Sequence, residues 1–258
     1  MKLFTTIKKT LFILITTVLS VNAQDKDSSK TLFFTGNINL TNNGFSFIPL
    51  FSLGKPATTS NLSIGGKRLS FDSQLRFDLD GMRPWSFLFG WSYRLIQNKK
   101  FNVRLGSFFP AYAFNNLEYT RKSKNINVLT PQRYFIWNTF MSYNILNKIN
   151  VGVYYLNGRG LEKIDQTKSG NFISFRLFAN RINISKSINI NLNPEFYFLK
   201  IDNNNGLYLA NTFSLHHLKI PVFFSSTINK AINSNLNAKA FDWNIGLNYK
   251  FRSSFKKN

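Results

Sequence analysis

Hydrophobic and polar residues alternate along most of this chain, and the pattern is clearest in residues 241–251. Alternate side chains of a β-strand point to opposite faces of the sheet. In this stretch every second position is apolar, and the positions between them carry polar side chains or glycine. The stretch therefore predicts a β-strand with one apolar and one polar face. Its apolar positions are Trp243, Ile245, Leu247, Tyr249 and Phe251.

The same alternation recurs along the chain. Residues 69–79 place Leu and Phe on one face and Ser, Asp, Gln and Arg on the other, and residues 85–93 carry a stripe of aromatic side chains. No helical pattern offers a partner that could cover these apolar faces. Further runs lie at 32–40, 45–53, 62–64, 101–114, 133–146, 149–157, 171–184, 188–201, 207–218 and 220–228.

The length of these runs separates two architectures that share the alternating pattern. Strands of a soluble β-sandwich average about 5–6 residues, whereas a tilted membrane strand needs about 9–11. Many of the runs reach the longer value, as 101–114 and 188–201 do. Strand length therefore favours a transmembrane barrel over a sandwich.

The connections between runs fall into two alternating classes. Short turns at one end of the strands and longer loops at the other are typical of outer-membrane barrels. The short connections are 65–67, 97–99, 147–148, 185–186 and 218–219. The longer ones, rich in charge or Asn, are 54–60, 81–84, 115–130, 158–169, 202–205 and 230–239.

The predicted fold is all-β, a transmembrane antiparallel up-and-down β-barrel. The runs give thirteen candidate strands, but bacterial single-chain barrels have even numbers, so we expect about twelve, within limits of about ten and fourteen. Pro49 interrupts the 45–53 run, and proline inside a strand marks a bulge or a position near the seam. We therefore expect segment 31–41 either to continue into that run across a bulge or to pack outside the barrel.

The N-terminus has the three parts of a secretory signal peptide. Lys2, Lys8 and Lys9 precede an apolar core at 11–21, and small residues suited to cleavage end at Ala23. The core is too short to cross a bilayer as a helix. The predicted organisation is a signal peptide at 1–23, a polar leader at 24–30 and one barrel domain at 31–258.

Composition narrows the class of partner. The chain has no cysteine, which excludes disulfides and thiolate chemistry. Its formal net charge is +22, which in an exported chain points to outer-membrane lipids and lipopolysaccharide phosphates or acidic solutes rather than nucleic acid. The same basic composition is also what an AT-rich genome produces, and charge does not separate the two explanations.

The closing stretch resembles the last strand of bacterial outer-membrane β-barrels, in which a terminal Phe or Tyr helps the barrel-assembly machinery recognise the chain. Trp243, Tyr249 and Phe251 are the residues that carry the resemblance. As a pattern, residues 31–251 resemble a small porin-like barrel of a Gram-negative bacterium, without a characterised family. The resemblance implies insertion by the barrel-assembly machinery and residence in the outer membrane.

The polar faces of the runs carry charges of both signs. Within a barrel such groups either line a water-filled channel or pair with one another and close it. The candidates for lining the lumen are Asp72, Arg76, Asp78, Arg94, Arg104, Arg176, Glu195 and Asp242. The aromatic residues expected at the membrane interfaces, where a ring buries its body and wets its polar edge, are Trp85, Tyr93, Trp137 and Tyr143.

Catalytic chemistry has little support in the sequence. Ser214 and His216 share one strand face, but no orienting group can be assigned to them, so no catalytic residue is predicted. No metal-ligand cluster or cofactor motif is present in the pattern, and neither metal nor cofactor is expected. The first hypothesis for function is a narrow passive channel for small solutes. The alternative is a lipid-processing enzyme or an anchoring subunit of an envelope assembly.

Overall fold

The computed structural model describes residues 31–121, 124–162 and 167–256. Twelve antiparallel strands form one closed barrel in these residues. The predicted signal peptide and polar leader lie outside them. The strands are β1 (Thr31–Thr41), β2 (Ala57–Gly65), β3 (Leu69–Asp78), β4 (Pro84–Gln97), β5 (Phe101–Arg121), β6 (Lys124–Leu146), β7 (Ile149–Gly160), β8 (Ser169–Asn183), β9 (Ile188–Ile201), β10 (Asn204–His217), β11 (Val222–Ser234) and β12 (Phe241–Lys256).

Each strand pairs with its neighbour in sequence, and β1 closes the barrel by pairing with β12. The closing pair is continuous, from Thr31 opposite Lys256 to Thr41 opposite Gly246. This arrangement leaves no unpaired sheet edge, as a barrel within a bilayer requires. The predicted up-and-down barrel and its strand number are confirmed.

The assignment of the first strands was wrong. Segment 31–41 is a full barrel strand, β1, which pairs with both β2 and β12. The 45–53 run is not a strand of the barrel; it belongs to the connection between β1 and β2. We call this connection, residues 42–56, the inserted loop, because two of its apolar side chains, Ile48 and Leu50, are buried in the core cluster inside the barrel.

The strands point apolar side chains outward, where hydrocarbon can replace water. Leu69, Phe71 and Trp91 are half exposed on β3 and β4, and Phe224, Ile245 and Leu247 are similarly exposed on β11 and β12. Among the described residues, no helix is long and apolar enough to cross a membrane.

The two ends of the barrel differ as the sequence predicts. The strand termini at Thr31 and Lys256 lie at one end, together with the short connections; we call it the turn end. The other end, the loop end, carries the inserted loop, the connections 79–83 and 235–240, and residues 161–162 and 167–168. Two predicted loops are mostly strand instead: 57–60 belongs to β2, and much of 115–130 extends the β5–β6 hairpin.

Candidate functional site

The interior of the barrel has an apolar wall and a polar wall. The apolar wall is formed by inward side chains of β7 to β10, which are packed into one cluster with the inserted loop. It consists of Tyr154, Leu156, Phe172, Tyr197, Leu199 and Tyr208. The polar wall continues around the barrel from β11 and β12 to β1, β2 and β3, where Asn, Gln and Ser side chains hydrogen-bond to one another, to Asp72 or to Tyr197. Its members include Asn37, Asn39, Asn61, Ser63, Gln74, Ser225, Asn229 and Asn248.

The inserted loop covers the apolar wall. Ile48 is 3% exposed and Leu50 is 8% exposed, and both pack into the aromatic cluster. The Tyr197 and Tyr208 rings stack there with centroids 4.9 Å apart, and the Tyr197 hydroxyl donates a hydrogen bond to Asn229 Oδ1 at 2.8 Å. Without the loop, this wall would expose large apolar side chains to water, so burial drives the loop into the barrel.

Carboxylates hold the inserted loop at both of its ends. Asp242 on β12 accepts hydrogen bonds from Asn43 Nδ2 at 2.9 Å and from Ser52 Oγ at 2.5 Å. Lys55 lies 3.8 Å from the Asp78 carboxylate on β3. Because these contacts lie near the two ends of the loop, its middle is tied to the barrel chiefly by apolar packing.

Two cavities lie within the barrel, and Phe47 of the inserted loop lines both of them. The outer cavity, toward the loop end, has a volume of about 640 Å³ and is walled mainly by apolar residues that include Leu88 and Ile136. The inner cavity has a volume of about 300 Å³ and is lined by polar groups such as Asn61 and Lys250. The Phe47 and Phe108 rings stack between them with centroids 6.4 Å apart.

Arg76 on β3 lies at the same constriction. Its side chain is 2% exposed, and its guanidinium lies 5.5 Å from the Phe47 ring and 5.4 Å from the Trp85 ring. One nitrogen donates to Ser86 Oγ at 2.8 Å, and another donates to Gln74 Oε1. The Nε atom is buried without a hydrogen-bond partner. None of the ion pairs found among the described residues includes Arg76.

A second arginine on the inward face is paired. Arg176 Nη2 lies 2.8 Å from Glu195 Oε1 across the β8–β9 pair, and the guanidinium lies 4.8 Å from the centre of the Tyr154 ring. Arg104 lies 5.7 Å from the centre of the Phe140 ring on the same side of the barrel. This part of the wall therefore carries one ion pair, Arg176 with Glu195, and one exposed arginine, Arg104.

The remaining charged candidates, Asp72 and Arg94, lie toward the turn end. Asp72 accepts hydrogen bonds from Ser63 at 2.5 Å and from Ser92 at 2.7 Å, within the polar wall. Arg94 is exposed near the turn end, where it donates to the carbonyl of Lys67 at 2.5 Å.

An ion pair that the sequence reading did not single out lies beside the loop end. Arg133 Nε donates to Glu162 Oε1 at 2.7 Å. This hydrogen bond lowers the pKa of the Glu162 carboxyl below its ordinary value.

The aromatic candidates divide between the two faces of the barrel. Trp137 and Tyr143 are exposed on the outer face, and Tyr93 shares that face with exposed Leu69, its partner across the β3–β4 pair. Trp85 does not lie on the outer face, so the prediction that it is an interfacial residue was wrong. A register shift between Arg76 and Phe77 changes the alternation of β4 at this point, so Trp85 lies against Arg76 and lines the outer cavity.

The residues of the predicted assembly signal lie on the outer face of β12. Trp243 and Tyr249 are exposed there, and the Phe251 ring covers Gly36 of β1, where an added Cβ would meet the ring. An aromatic ring that covers a glycine on the neighbouring strand stabilises the strand pair. Phe251 is not at the end of the strand, however, because β12 continues to Lys256 and its last outward aromatic residue is Phe255.

Ser214 and His216 do contact one another inside the barrel. Ser214 Oγ lies 2.7 Å from His216 Nε2, and Asn191 Nδ2 lies 3.0 Å from the same nitrogen. In a catalytic triad the orienting group bonds to the other ring nitrogen. No described residue hydrogen-bonds to Nδ1 of His216. No group of three or more His, Asp or Glu that could hold a metal occurs among the residues described.

Sequence reasoning missed the inner apolar wall and the inserted loop that covers it. The available signal was that some strands are apolar on both faces, as at Phe196-Tyr-Phe-Leu199 on β9 and at 153–156 on β7. A lipid-facing strand requires only one apolar face. Apolar residues on the inward face therefore call for a covering segment, and the 45–53 run had the composition to supply it.

No protein-family model matches the chain, and no curated protein matches it in sequence. Several solved structures align with most of the chain. The KdgM porin is 10% identical over 84% of this chain and 99% of its own, with a TM-score of 0.50. The NanC porin is 9% identical over 86% and 100%, with a TM-score of 0.49. OmpT, an outer membrane protein of Vibrio cholerae, is 10% identical over 89% and 100%, with a TM-score of 0.39. At 10% identity the similarity to the KdgM porin concerns the fold alone.

Proposed function

We propose that this protein is a narrow passive channel for small solutes in the outer membrane, and that its inserted loop restricts the path. The observation that carries the proposal is the position of Phe47, which lines both the outer and the inner cavity. The Phe47 and Phe108 rings lie between the two cavities, and of the two only Phe47 belongs to a loop, since Phe108 is part of the barrel wall on β5. We expect displacement of Phe47 to widen the passage between the cavities.

The contacts of Phe47 are of a strength that thermal motion or a solute can overcome. Its stacking on Phe108 contributes about 0.5–1.5 kcal/mol, and its contact with the Arg76 guanidinium about 0.5–2 kcal/mol. The stronger charged contacts of the loop lie near its ends, at Asn43, Ser52 and Lys55. The middle of the loop can therefore move while its ends stay fixed.

The inner part of the lumen also offers polar groups to a passing solute. Asn61, Asp72 and Lys250 line the inner cavity, so water and polar solutes find hydrogen-bond partners there. The channel is expected to be narrow, since a barrel of about 8 strands is filled by side chains, whereas barrels of about 16–18 strands leave an open aqueous path.

The location and the partners are part of the proposal. A cleaved signal peptide at 1–23 would deliver the chain across the inner membrane, and the barrel-assembly machinery would insert it. The loop end would face outward toward lipopolysaccharide, because short turns face the periplasm in barrels of this kind. The outward apolar face and the closed sheet support residence in a bilayer.

Conductance through planar bilayers tests the proposal. The wild-type barrel is expected to give small, brief steps, and a variant with residues 46–51 replaced by Gly and Ser should give larger and longer ones. A matched control carries the same kind of replacement at the turn 98–100, which lines neither cavity, and should behave as wild type. If correctly folded protein conducts nothing in any of the three forms, the channel function is wrong.

One observation favours the enzyme alternative, namely the contact between Ser214 and His216. The contact lies on the inward face and shares Nε2 with Asn191, which leaves the imidazole without the orienting bond that a general base uses. The channel is therefore the better supported function, and the anchoring role has no specific contact in its favour.

A further inference from the structure

We infer that the outer cavity binds small organic acids that combine one carboxylate with an apolar body, with Arg76 receiving the carboxylate. This inference rests on the proposed channel function and names the class of solute that the channel admits. Three observations carry it: the volume and lining of the outer cavity, the incomplete bonding of a buried guanidinium, and the loop side chain that lies on that guanidinium.

The outer cavity has the size and the lining of a ligand site. Its volume of about 640 Å³ falls within the range of about 300–1,000 Å³ that small-molecule pockets occupy. Leu88, Ile136, Leu156, Leu199 and Ile201 form much of its wall. A sugar or another fully hydrated solute would lose hydrogen bonds to water against such a wall, whereas an alkyl or aryl group would gain by burial.

Arg76 supplies a positive charge that the protein does not neutralise by an ion pair. A buried guanidinium is normally paired with a carboxylate, because the desolvation of the charge is otherwise uncompensated. Here the described partners, Ser86 and Gln74, are neutral, and Nε has none. Arginine presents five N–H donors in a plane that matches a carboxylate at two points. A carboxylate from a bound solute would complete this bonding.

Phe47 lies against the guanidinium that such a carboxylate would reach, with its ring centre 5.5 Å from the guanidinium carbon. Asp78, two residues further along β3, pairs with Lys55 instead. A charged hydrogen-bonded pair is stronger than a contact between a cation and a ring. A carboxylate that enters the outer cavity would therefore displace Phe47 from Arg76. The same displacement opens the constriction between the outer and the inner cavity. Binding of the acid and opening of the passage would therefore occur together.

Binding of 3-phenylpropanoate tests the inference, with the neutral 3-phenylpropanol and the hydrophilic acid glucuronate as comparison probes. The folded full-length barrel is placed in lipid nanodiscs, and binding is followed by calorimetry and by Trp fluorescence, since Trp85 lines the cavity. The acid should bind saturably and at least about tenfold more tightly than the alcohol, because the alcohol lacks the charge that Arg76 pairs with. Its affinity should also exceed that of glucuronate by at least about tenfold, because glucuronate has no apolar body to bury.

Substitutions in the outer cavity test whether the acid binds at Arg76. Arg76→Gln should lower the affinity for 3-phenylpropanoate to that of the alcohol, while Phe47→Leu should raise it severalfold by removing the competing ring. The matched control is Arg159→Gln; Arg159 is exposed and lies on the face of β7 that points away from the lumen. If Arg76→Gln does not fold, Ala113→Phe replaces it as the test, since the added ring fills the outer cavity and should abolish binding.

Each contrary result has a definite meaning. Equal binding of acid and alcohol, binding unchanged in Arg76→Gln, tighter binding of glucuronate, or no saturable binding of any probe would overturn the inference. Conductance in planar bilayers is measured on the same preparations. A barrel that conducts without binding 3-phenylpropanoate retains the channel function and loses this solute class. A barrel that binds but never conducts retains the site and loses the channel.

Discussion

Ser52 of the inserted loop donates a hydrogen bond to the Asp242 carboxylate at 2.5 Å, and this contact joins the loop to the closing strand of the barrel. The same carboxylate accepts a second hydrogen bond from Asn43, near the beginning of the loop. One side chain therefore fixes two positions that flank the buried residues Ile48 and Leu50. The restriction of the lumen depends on β12 as well as on the loop itself.

Removing this carboxylate should loosen the restriction. Hydrogen bonds to charged groups contribute about 1.5–3 kcal/mol each, so Asp242→Ala should release the loop ends and lengthen the open events seen in single-channel recordings. The control is Asp202→Asn, which removes a negative charge at the same end of the barrel. Asp202 contacts only the backbone at 168–169 in its described hydrogen bonds. Indistinguishable recordings from the two variants would show that Asp242 does not hold the loop closed.

The Arg176–Glu195 ion pair is expected to influence the ion selectivity of the channel. Glu195→Gln leaves the Arg176 guanidinium uncompensated in the lumen, so the reversal potential in a salt gradient should shift toward anion preference. Loss of one partner should also destabilise the barrel by on the order of 2 kcal/mol, measured as a lower unfolding midpoint. The double variant Arg176→Gln with Glu195→Gln should recover the wild-type selectivity. A shift that persists in the double variant would mean that the pair does not face the conduction path.

The contact of Ser214 with His216 is expected to be structural. The wild-type barrel should not react with a fluorophosphonate probe, which labels activated serine nucleophiles, because the imidazole lacks an orienting partner on Nδ1 among the described residues. Ser214→Ala should leave the amount of folded barrel unchanged, as should Ser225→Ala, its neighbour across the β10–β11 pair. Stoichiometric labelling of wild type that disappears only in Ser214→Ala would instead support the lipid-processing enzyme.

The barrel could be predicted from the sequence because period-two alternation and turn position depend on local geometry alone. The same local rule explains the main error. The 45–53 run alternates like a strand, but it has no neighbouring strand to pair with, and its buried residues Ile48 and Leu50 cover an apolar wall on β7 to β10. Alternation identifies an apolar face without showing whether lipid or another part of the chain covers it.

The position of Trp85 could not be predicted for a related reason. One irregular pairing sets Arg76 opposite Ser86 and Phe77 opposite Pro84, so Trp85 of β4 has no opposite residue on β3 and lies on the inward side. Such a shift depends on how two strands meet and leaves no trace in the alternation of either one. The inward charged residues could be predicted because they occupy the polar positions of alternating strands. Whether each one forms an ion pair, as Arg176 does, or lacks one, as Arg76 does, depends on neighbouring strands that only the closed barrel brings together.

The closing strand gives the last prediction, which concerns how the barrel is assembled. If the assembly machinery recognises an aromatic residue at the end of the last strand, then Phe255 has that role, since it lies opposite Leu32 near the end of the β1–β12 pair. Phe255→Ala should then lower the amount of folded barrel in cells severalfold, measured by heat-modifiable gel mobility, without changing the yield of spontaneous folding into liposomes. Phe251 has a different position, because its ring covers Gly36.

Phe251→Ala should therefore weaken the seam itself, by about 0.5–1.5 kcal/mol for the lost ring contacts, and should lower the unfolding midpoint of the barrel in liposomes. Phe224→Ala is the matched control, since Phe224 is an outward aromatic residue on the adjacent strand β11 and is about as exposed as Phe255. It should change neither assembly nor the unfolding midpoint. If Phe255→Ala and Phe224→Ala give the same cellular amount as wild type while Phe251→Ala lowers it without lowering the unfolding midpoint, the recognised residue is Phe251, and recognition does not require the end of the strand.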